Sequence, residues 1–288
     1  MGLGDILTEE EFSAYVPYQG IIHQLETYLE ECNLRREEVN ILDWGCGRGT
    51  DVLWLREQGY INTFGVDISQ DYIKLSSDFT QKKGLDNSIL SLIDPDCRTT
   101  FPDNFFHFTF SNQVFEHVEN IEQLASELSR ITKTGGVGYH VFPGHKYITE
   151  GHLYMPFIHW LPKNRLRKYL MYVYVLFGIE PKWQIENYAK KVDTYFNYSI
   201  NKTFYRKYSD IRKIFQNRGF DVNFVTINHP KVQKNRFISK FANFYLTKPL
   251  VNYLLLTFKV QELFIKKKGE KALYHDCRRE EAIGDRNR

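Results

Sequence analysis

The sequence is poor in cysteine and lacks an apolar run long enough to cross a membrane. Its 288 residues include four cysteines, none in a C-x-x-C pair, which argues against a disulfide framework or a zinc site and suits a reducing compartment. The longest uncharged apolar stretches, residues 169–179 and 249–258, are shorter than the roughly 20 residues that span a bilayer. The acidic, polar residues 1–11 are not typical of a signal peptide. We therefore expect a cytoplasmic protein.

The two halves of the chain carry opposite net charges. Residues 1–145 contain 10 basic and 23 acidic side chains, whereas residues 146–288 contain 28 basic and 12 acidic ones, so the total of +3 conceals a strong asymmetry. With 42% hydrophobic residues the chain can build a packed core, which excludes a disordered protein. The asymmetry indicates that the two halves bind different partners.

The first half alternates strand and helix patterns. Short apolar runs predict strands over residues 39–44, 63–66, 88–93, 106–111 and 136–142, and helical spacing predicts helices over 21–32, 50–58, 69–83 and 121–132. Continuous apolar runs are typical of parallel strands that helices cover on both faces. We predict an α/β core over residues 1–145, which binds a cofactor.

The second half departs from this alternation. Residues 146–208 contain 16 aromatic residues and predict a helical, aromatic-rich cap that binds the acceptor. A helix over 209–218, a strand over 220–227 and a last strand over 259–266 complete the core within residues 209–268, with a helical insert near 237–258. Residues 269–288 are charged and predict a flexible tail.

A glycine-rich loop follows the first predicted strand. Asp43 precedes the pattern Gly45-Cys46-Gly47-Arg48-Gly49, and Asp67 ends the second strand 18 residues later. Glycines there allow a ligand to approach the backbone closely, although a turn without a ligand is the alternative. Since the spacing is not G-x-G-x-x-G and Asp43 would repel a pyrophosphate, a cationic or hydroxylated ligand suits the loop better. Asp67 can accept hydrogen bonds from a ribose or cap the next helix.

Four segments together resemble the class I S-adenosylmethionine-dependent methyltransferases, and most of all their type 11 branch, which acts on small molecules and glycans. They are residues 43–49, 65–67, 101–106 and 114–118. The resemblance covers residues 20–145 and resumes at 208–227 and 259–266. It implies a Rossmann-like, seven-stranded, mostly parallel sheet with an antiparallel last strand.

The resemblance also implies S-adenosyl-L-methionine as the cofactor and assigns its contacts. Asp43, Gly45 and Gly47 would lie beside the methionine part, with Cys46 and Gly49 in the same loop. Asp67 would bind the ribose, and Ile68 would pack on the adenine. Asp94, or alternatively Asp96, would meet the adenine amino group, and Asn112 and Gln113 would lie near the sulfonium. An acidic half suits a cofactor with a sulfonium and an ammonium group.

A histidine is the expected base for methyl transfer to an alcohol. His117 is the first candidate, with pocket lining as its alternative role, and Glu116 would orient it; the pair resembles the family's E-H motif. His140, His145, His152 and His159 follow strand five at spacings that match no zinc pattern. We therefore predict no metal site, and we keep His145 and His152 as reserve bases. Tyr154, His159 and Trp160 are the predicted acceptor contacts.

Two classes of acceptor fit the basic, aromatic half. The first is a hydroxyl of a sugar, glycan or small metabolite, including lipid- or phosphate-linked ones, O-methylated by in-line displacement. The second is RNA, which is disfavoured because residues 111–114 lack the Asn/Asp-Pro-Pro-aromatic loop of amino-methylating enzymes.

Four basic residues precede the apolar run 169–179, which predicts either a helix on an anionic membrane surface or a buried cap helix. They are Lys163, Arg165, Arg167 and Lys168.

Overall fold

A computed structural model describes residues 8–185, 187–228 and 230–269. In these ranges seven strands form one sheet in the order β3-β2-β1-β4-β5-β7-β6. The strands are β1 (Ile41–Trp44), β2 (Thr63–Asp67), β3 (Leu90–Leu92), β4 (Phe106–Asn112), β5 (Thr132–Pro143), β6 (Phe220–Phe224) and β7 (Val260–Lys267). Strands β1 to β5 pair in parallel, whereas β7 runs antiparallel between β5 and β6. The predicted Rossmann-like sheet with an antiparallel last strand is confirmed.

Helices cover the sheet and build the segment after β5. They are α1 (Glu9–Ser13), α2 (Gln19–Cys32), α3 (Thr50–Glu57), α4 (Gln70–Lys82), α5 (Ile121–Ile131), α6 (Arg165–Leu176), α7 (Tyr188–Asn201), α8 (Tyr208–Gln216), α9 (Pro230–Lys234), α10 (Arg236–Asn243) and α11 (Lys248–Phe258). None of the helices in these described ranges is both long and apolar enough to cross a bilayer. The tail predicted from residue 269 lies outside the described residues from position 270 onward.

Several strand boundaries differ from the sequence prediction. Residues 87–89 form a 3-10 turn, with the Asp86 side chain accepting from the Ser88 amide, so β3 is only three residues long. Strand β5 begins at Thr132, directly after α5, instead of at residue 136. Residues 226–228 form another 3-10 turn, which ends β6 at Phe224. Turn hydrogen bonds thus end elements where the apolar pattern continues.

Both faces of the sheet are buried, which explains the apolar strand runs. Leu42 and Phe106 belong to the cluster that packs under α5 and α8, whereas Ile41 and Phe108 belong to the cluster under α2. All four side chains are fully buried. Because neighbouring residues of a strand point to opposite faces, a sheet covered on both sides needs apolar residues at successive positions.

The segment 146–208 has a small hydrophobic core of its own, in which Met171 and Val175 of α6 pack with Val192 and Tyr195 of α7. Arg167 is buried within this segment and donates hydrogen bonds to the carbonyl oxygens of Leu161 and Ser199. Of the two alternatives for this helix, the burial of Arg167 favours the buried cap helix over a helix on an anionic surface. The Arg167 guanidinium holds the start of α6 against the end of α7.

Candidate active site

The glycine loop connects β1 to α3 at the carboxyl edge of the parallel strands. Gly45 has φ +78°, and a Cβ atom there would lie 2.5 Å from the Val114 side chain. At Gly49 a Cβ would lie 2.6 Å from Leu90. Both positions need glycine because the loop packs against the neighbouring strand ends. The close packing joins the loop to the segment that follows β4.

Gly47 is the one glycine of this loop that faces open space. It has φ +53°, and no atom of the described residues lies within 4 Å of a Cβ built on it. Its amide donates to Asp67 Oδ2 over 2.8 Å, which holds the loop in place. A ligand can therefore reach the backbone at Gly47, as the cofactor assignment requires.

Carboxylates surround the loop. Asp43 is buried, and its burial, followed by the negative charges of Asp51 and Asp67, raises its pKa well above the usual range. Asp51 receives a 2.8 Å hydrogen bond from the Tyr15 hydroxyl. Acids this close repel one another, so a cation bound beside them is stabilised. The set thus fits the sulfonium and ammonium groups of S-adenosylmethionine.

Asp67 organises the loop as well as offering a ligand contact. Besides the bond to Gly47, its Oδ1 accepts from the Ser69 amide over 2.8 Å, while Ser69 itself is the N-cap of α4. Each carboxylate oxygen has a second lone pair, so two backbone bonds leave capacity for two ribose hydroxyls. The two roles that the sequence suggested for Asp67 are therefore compatible.

The expected adenine side lies at the ends of β2 and β3. Ile68 is 61% exposed, and Leu92, which pairs in register with Asp67, is 49% exposed. The Asp96 carboxylate accepts from the Arg98 amide at 3.0 Å, whereas no side-chain hydrogen bond of Asp94 is present within the described ranges. This difference favours Asp94 over Asp96 for the adenine amino group.

Asn112 and Gln113 end β4 as exposed residues, beside the loop that Val114 contacts. Gln113 has φ +58° and donates its amide to the Val141 carbonyl over 2.7 Å. Cys46, by contrast, turns its side chain into the core beside Gly65. Only the backbone of Cys46 is therefore in a position to meet a cofactor.

His117 and His152 lie side by side, although 35 residues separate them in the sequence. Their Nε2 atoms are 3.1 Å apart. His117 Nδ1 lies 2.6 Å from the Lys202 carbonyl oxygen, and His152 Nδ1 lies 2.8 Å from Glu150 Oε1. Burial, together with the charge of His152, lowers the pKa of His117; for His152, burial is outweighed by the bond and charge of Glu150, which raise its pKa.

Glu150 forms hydrogen bonds that hold His152 in position. It is buried and accepts hydrogen bonds from the backbone amides of His152 (2.9 Å) and Leu153 (2.5 Å) and from the Tyr205 hydroxyl (2.7 Å). Although burial acts in the opposite direction, the hydrogen bond and charge of the His152 ring, followed by the bonds from Tyr205 and Leu153, hold the pKa of the carboxyl below its usual range. Glu150 is therefore an anion that fixes the orientation of the His152 ring.

Glu116, the predicted orienting partner of His117, makes no such bond. It is 2% exposed, and neither carboxylate oxygen has a hydrogen-bond partner in the described part of the chain. Burial raises its pKa to about 7. Single ligand atoms of Glu116, His117 and His152 all lie within 4.8 Å of one another. We call these three residues the Glu-His-His cluster.

The other predicted histidines and acceptor contacts do not join the cluster. Burial, followed by the charges of Lys146 and Lys207, lowers the pKa of His145. The His159 ring lies tilted against the Tyr205 ring, with the ring centroids 4.5 Å apart. Trp160 is 40% exposed and bonds the Tyr147 carbonyl, and Tyr154 is 58% exposed. Of the two reserve bases, His152 is thus the one that the structure brings to His117.

Sequence reasoning missed several residues of the site. They are Tyr15, Asp51, Leu92, Lys202 and Tyr205. Asp51 had a local signal, since it lies two residues after Gly49 in the first turn of α3. The others had none, because their positions depend on tertiary contacts.

Comparison with known proteins places this site in a family. The family model described as "Methyltransferase domain" matches residues 42–139. The sterol 24-C-methyltransferase of Aspergillus fumigatus is 25% identical over 126 residues, which are 44% of this chain and 33% of that protein. The ubiquinone biosynthesis O-methyltransferase of Rickettsia typhi is 27% identical over 126 residues, 41% of this chain and 50% of that protein.

These alignments span a third to a half of the length of the curated relatives. Among solved structures, the YcgJ protein of Bacillus subtilis aligns over 86% of this chain and 99% of its own, with 14% identity and a TM-score of 0.48. The family match covers the glycine loop, Asp67 and the Glu116-His117 pair. Residues 42–139 therefore match a methyltransferase domain, as the resemblance to the S-adenosylmethionine-dependent class I, type 11 enzymes predicted.

Proposed function

We propose that the protein transfers a methyl group from S-adenosylmethionine to an oxygen atom of a small anionic molecule on the cytoplasmic side of the cell. The observation that carries this proposal is the continuity between the two parts of the site. Val114 packs on Gly45 of the cofactor loop, and the Glu-His-His cluster begins two residues later. A methyl group held at the loop would thus lie next to side chains that activate an acceptor.

In the proposed reaction, the cofactor loop and the Glu-His-His cluster have different roles. Methyl transfer from a sulfonium is an in-line displacement in which the acceptor oxygen forms a bond to carbon as the sulfur–carbon bond breaks, so alignment is the main requirement. The acidic loop would hold the donor, and the hydroxyl acceptor must lose its proton. The cluster is the place where this proton would be removed or made more acidic.

A basic cleft beside the cluster supports an anionic acceptor. The cleft has a volume of about 400 Å³, and its lining includes Lys163, Arg167, Arg206 and Tyr205. The three cations donate to backbone carbonyl oxygens, and no carboxylate of the described residues forms an ion pair with them. The charges of Lys163 and Arg206 are therefore available to a phosphate or carboxylate group of the acceptor, whereas Arg167 is buried. Tyr205 bonds Glu150 and so links the cleft to the cluster.

Methyl-labelled cofactor tests the proposal directly. The protein is incubated with labelled S-adenosylmethionine and with cell extract separated into lipid, glycan, RNA and small-molecule fractions. We expect label in an anionic small-molecule or lipid-linked fraction, with Asp67→Ala inactive and the exposed Asp103→Ala as the control. Label confined to RNA, with binding that weakens steeply with salt, would support the alternative acceptor and refute this one.

A further inference from the structure

The hydrogen bonds of His117 and His152 determine which ring nitrogens carry protons. The Lys202 carbonyl can only accept, so the Nδ1 of His117, 2.6 Å away, must donate. The buried Glu150 carboxylate likewise accepts from the Nδ1 of His152 at 2.8 Å. In the neutral rings both Nε2 lone pairs would then face each other across 3.1 Å. This arrangement is repulsive unless a positive species binds between the nitrogens.

The positive species must also interact with the carboxylate of Glu116. Its carboxylate is 2% exposed, has no hydrogen-bond partner among the described residues, and lies in the same group of ligand atoms. A proton shared by the two imidazoles would leave this buried carboxylate unsatisfied, which is costly. A divalent cation would be bound by all three side chains.

We propose that the Glu-His-His cluster is a binding site for a divalent first-row transition metal ion, with zinc as the reference ion. Two imidazoles and one carboxylate form a ligand set that catalytic zinc ions use, leaving a coordination position open. The bonds from Nδ1 of each histidine to a carbonyl or a carboxylate are the outer contacts that orient metal-binding imidazoles. Histidine spacing could not indicate this site, because His152 joins it through folding.

The metal site deepens the proposed function and rests on it only for its role in the reaction. With the ion bound, His117 is a ligand and not a base. An acceptor hydroxyl at the open position would become more acidic through the charge of the ion. The proton would pass to water, while the oxygen forms its bond to the methyl carbon.

Metal binding can be measured without any acceptor. The full-length protein is stripped with a chelator, equilibrated with Zn²⁺ and analysed by atomic spectrometry, and Co²⁺ is titrated while its visible absorption is recorded. We expect one ion per chain and an affinity about 100-fold lower or worse in Glu116→Gln, His117→Ala and His152→Ala. Glu150→Gln should lose about 10- to 100-fold. Glu119→Gln and His23→Ala, which alter exposed side chains, are the matched controls.

Two further readouts separate the possible failures. Zn²⁺ should raise the midpoint of thermal unfolding of the unaltered protein in a concentration-dependent way. This measurement does not depend on whether the variants fold. Absence of bound metal, or equal affinity in the cluster variants and the controls, would overturn the metal site. Methyl transfer that survives chelation would overturn the role of the ion in the reaction, leaving His117 as the base. Metal binding without transfer to any fraction would refute the proposed function alone.

A second surface carries an independent proposal. Six exposed apolar residues lie on α11 and on the turn that connects α10 to it: Phe244 (56% exposed), Tyr245 (86%), Leu246 (74%), Leu250 (59%), Tyr253 (49%) and Leu254 (43%). We call them the α10–α11 surface. Between Asp221 and Glu262 the sequence has six Lys or Arg residues and no Asp or Glu. Lys240 and Lys248 at its margin are exposed.

We infer that the α10–α11 surface docks onto an anionic lipid membrane. Apolar side chains flanked by lysines match the acyl and headgroup layers of such a membrane. The ring of Phe258 at the end of α11 lies 5.9 Å from the Trp160 ring, so α11 contacts the segment 146–208. The lysines around α6 are less suited, since Lys168 forms an ion pair with Asp193 and Lys163 lines the basic cleft.

Vesicle co-sedimentation tests this docking. We expect binding to phosphatidylcholine vesicles that contain phosphatidylglycerol, weaker binding at high salt, and at least tenfold loss in Tyr245→Ser/Leu246→Ser. The matched control, Leu176→Ser/Phe177→Ser, removes side chains of similar exposure (71% and 73%) at the end of α6. Absence of binding, binding that is indifferent to phosphatidylglycerol, or equal loss in both double variants would overturn the proposal.

Discussion

The two glycines at the start of the cofactor loop should respond differently to the same substitution. Gly45 and Gly47 both have positive φ, at +78° and +53°, so an alanine at either position strains the backbone. Only at Gly45 does the new Cβ meet protein atoms, 2.5 Å from Val114. At Gly47 it enters the space that we assign to the cofactor. We therefore expect Gly45→Ala to affect stability and Gly47→Ala to affect binding.

The magnitudes follow from these contacts. A left-handed alanine costs about 1–2 kcal/mol, and forcing a methyl group against Val114 adds about 1–3 kcal/mol. Gly45→Ala should thus lower the free energy of unfolding by about 2–5 kcal/mol, and Gly47→Ala by only about 1–2 kcal/mol. Since the methyl group of Gly47→Ala displaces the cofactor from the loop, its affinity should fall by about tenfold or more, which is about 1.4 kcal/mol.

Denaturant titration of the cofactor-free protein measures the first quantity, and calorimetry with S-adenosylmethionine measures the second. Gly84→Ala is a matched control, because Gly84 has φ +69°, no described atom within 4 Å of its Cβ position, and a place at the end of α4. It should lose the same stability as Gly47→Ala and keep full affinity. Normal cofactor affinity in Gly47→Ala, or equal stability of Gly45→Ala and Gly84→Ala, would refute the reasoning.

Three other substitutions test the acids and the main buried ion pair. Burial and the charges of Asp51 and Asp67 raise the pKa of Asp43, so its protonated form stabilises the fold at low pH and this contribution is lost as the pH rises above about 4. Asp43→Asn should therefore gain stability relative to the cofactor-free wild type as the pH rises, and parallel denaturation curves at all pH values would contradict this. Asp67→Ala, which removes the acceptor of the 2.8 Å bond from Gly47, should abolish cofactor binding in calorimetry; retained binding would exclude the ribose contact. Arg130→Leu leaves Glu127 buried without the guanidinium 2.6 Å away and should cost about 3 kcal/mol in urea titrations, whereas a loss below about 1 kcal/mol would show that the pair contributes little.

The positions of most strands were predictable because the signals are local. Buried parallel strands need successive apolar residues, and β1, β2 and β4 show them. Residues 220–227 and 88–93 were predicted as longer strands than they form, since an apolar pattern does not register the turn hydrogen bonds that end a strand. The cofactor loop was predictable for a similar reason: Asp43, Gly45 and Gly47 lie within five residues.

The acceptor side was less predictable. Arg167 has the sequence context of a surface residue, yet its guanidinium is buried against carbonyl oxygens of the segment 146–208. The prediction of no metal site rested on histidine spacing and did not consider a carboxylate–histidine pair meeting a distant histidine. Spacing along the chain reports contacts within an element, and it does not report contacts between loops.

The sequence by itself determined the α/β core, the methyltransferase resemblance and the acidic loop, because strand burial, glycine conformations and the contacts of Asp43 and Asp67 are encoded over a few neighbouring residues. Only the tertiary structure decided which histidine meets His117. His152 reaches it through the turn that Glu150 holds, and Lys202 closes the site from the end of α7, 85 residues after His117. Such contacts follow from how the segment after β5 packs on the sheet, which depends on the whole hydrophobic core and not on any local pattern.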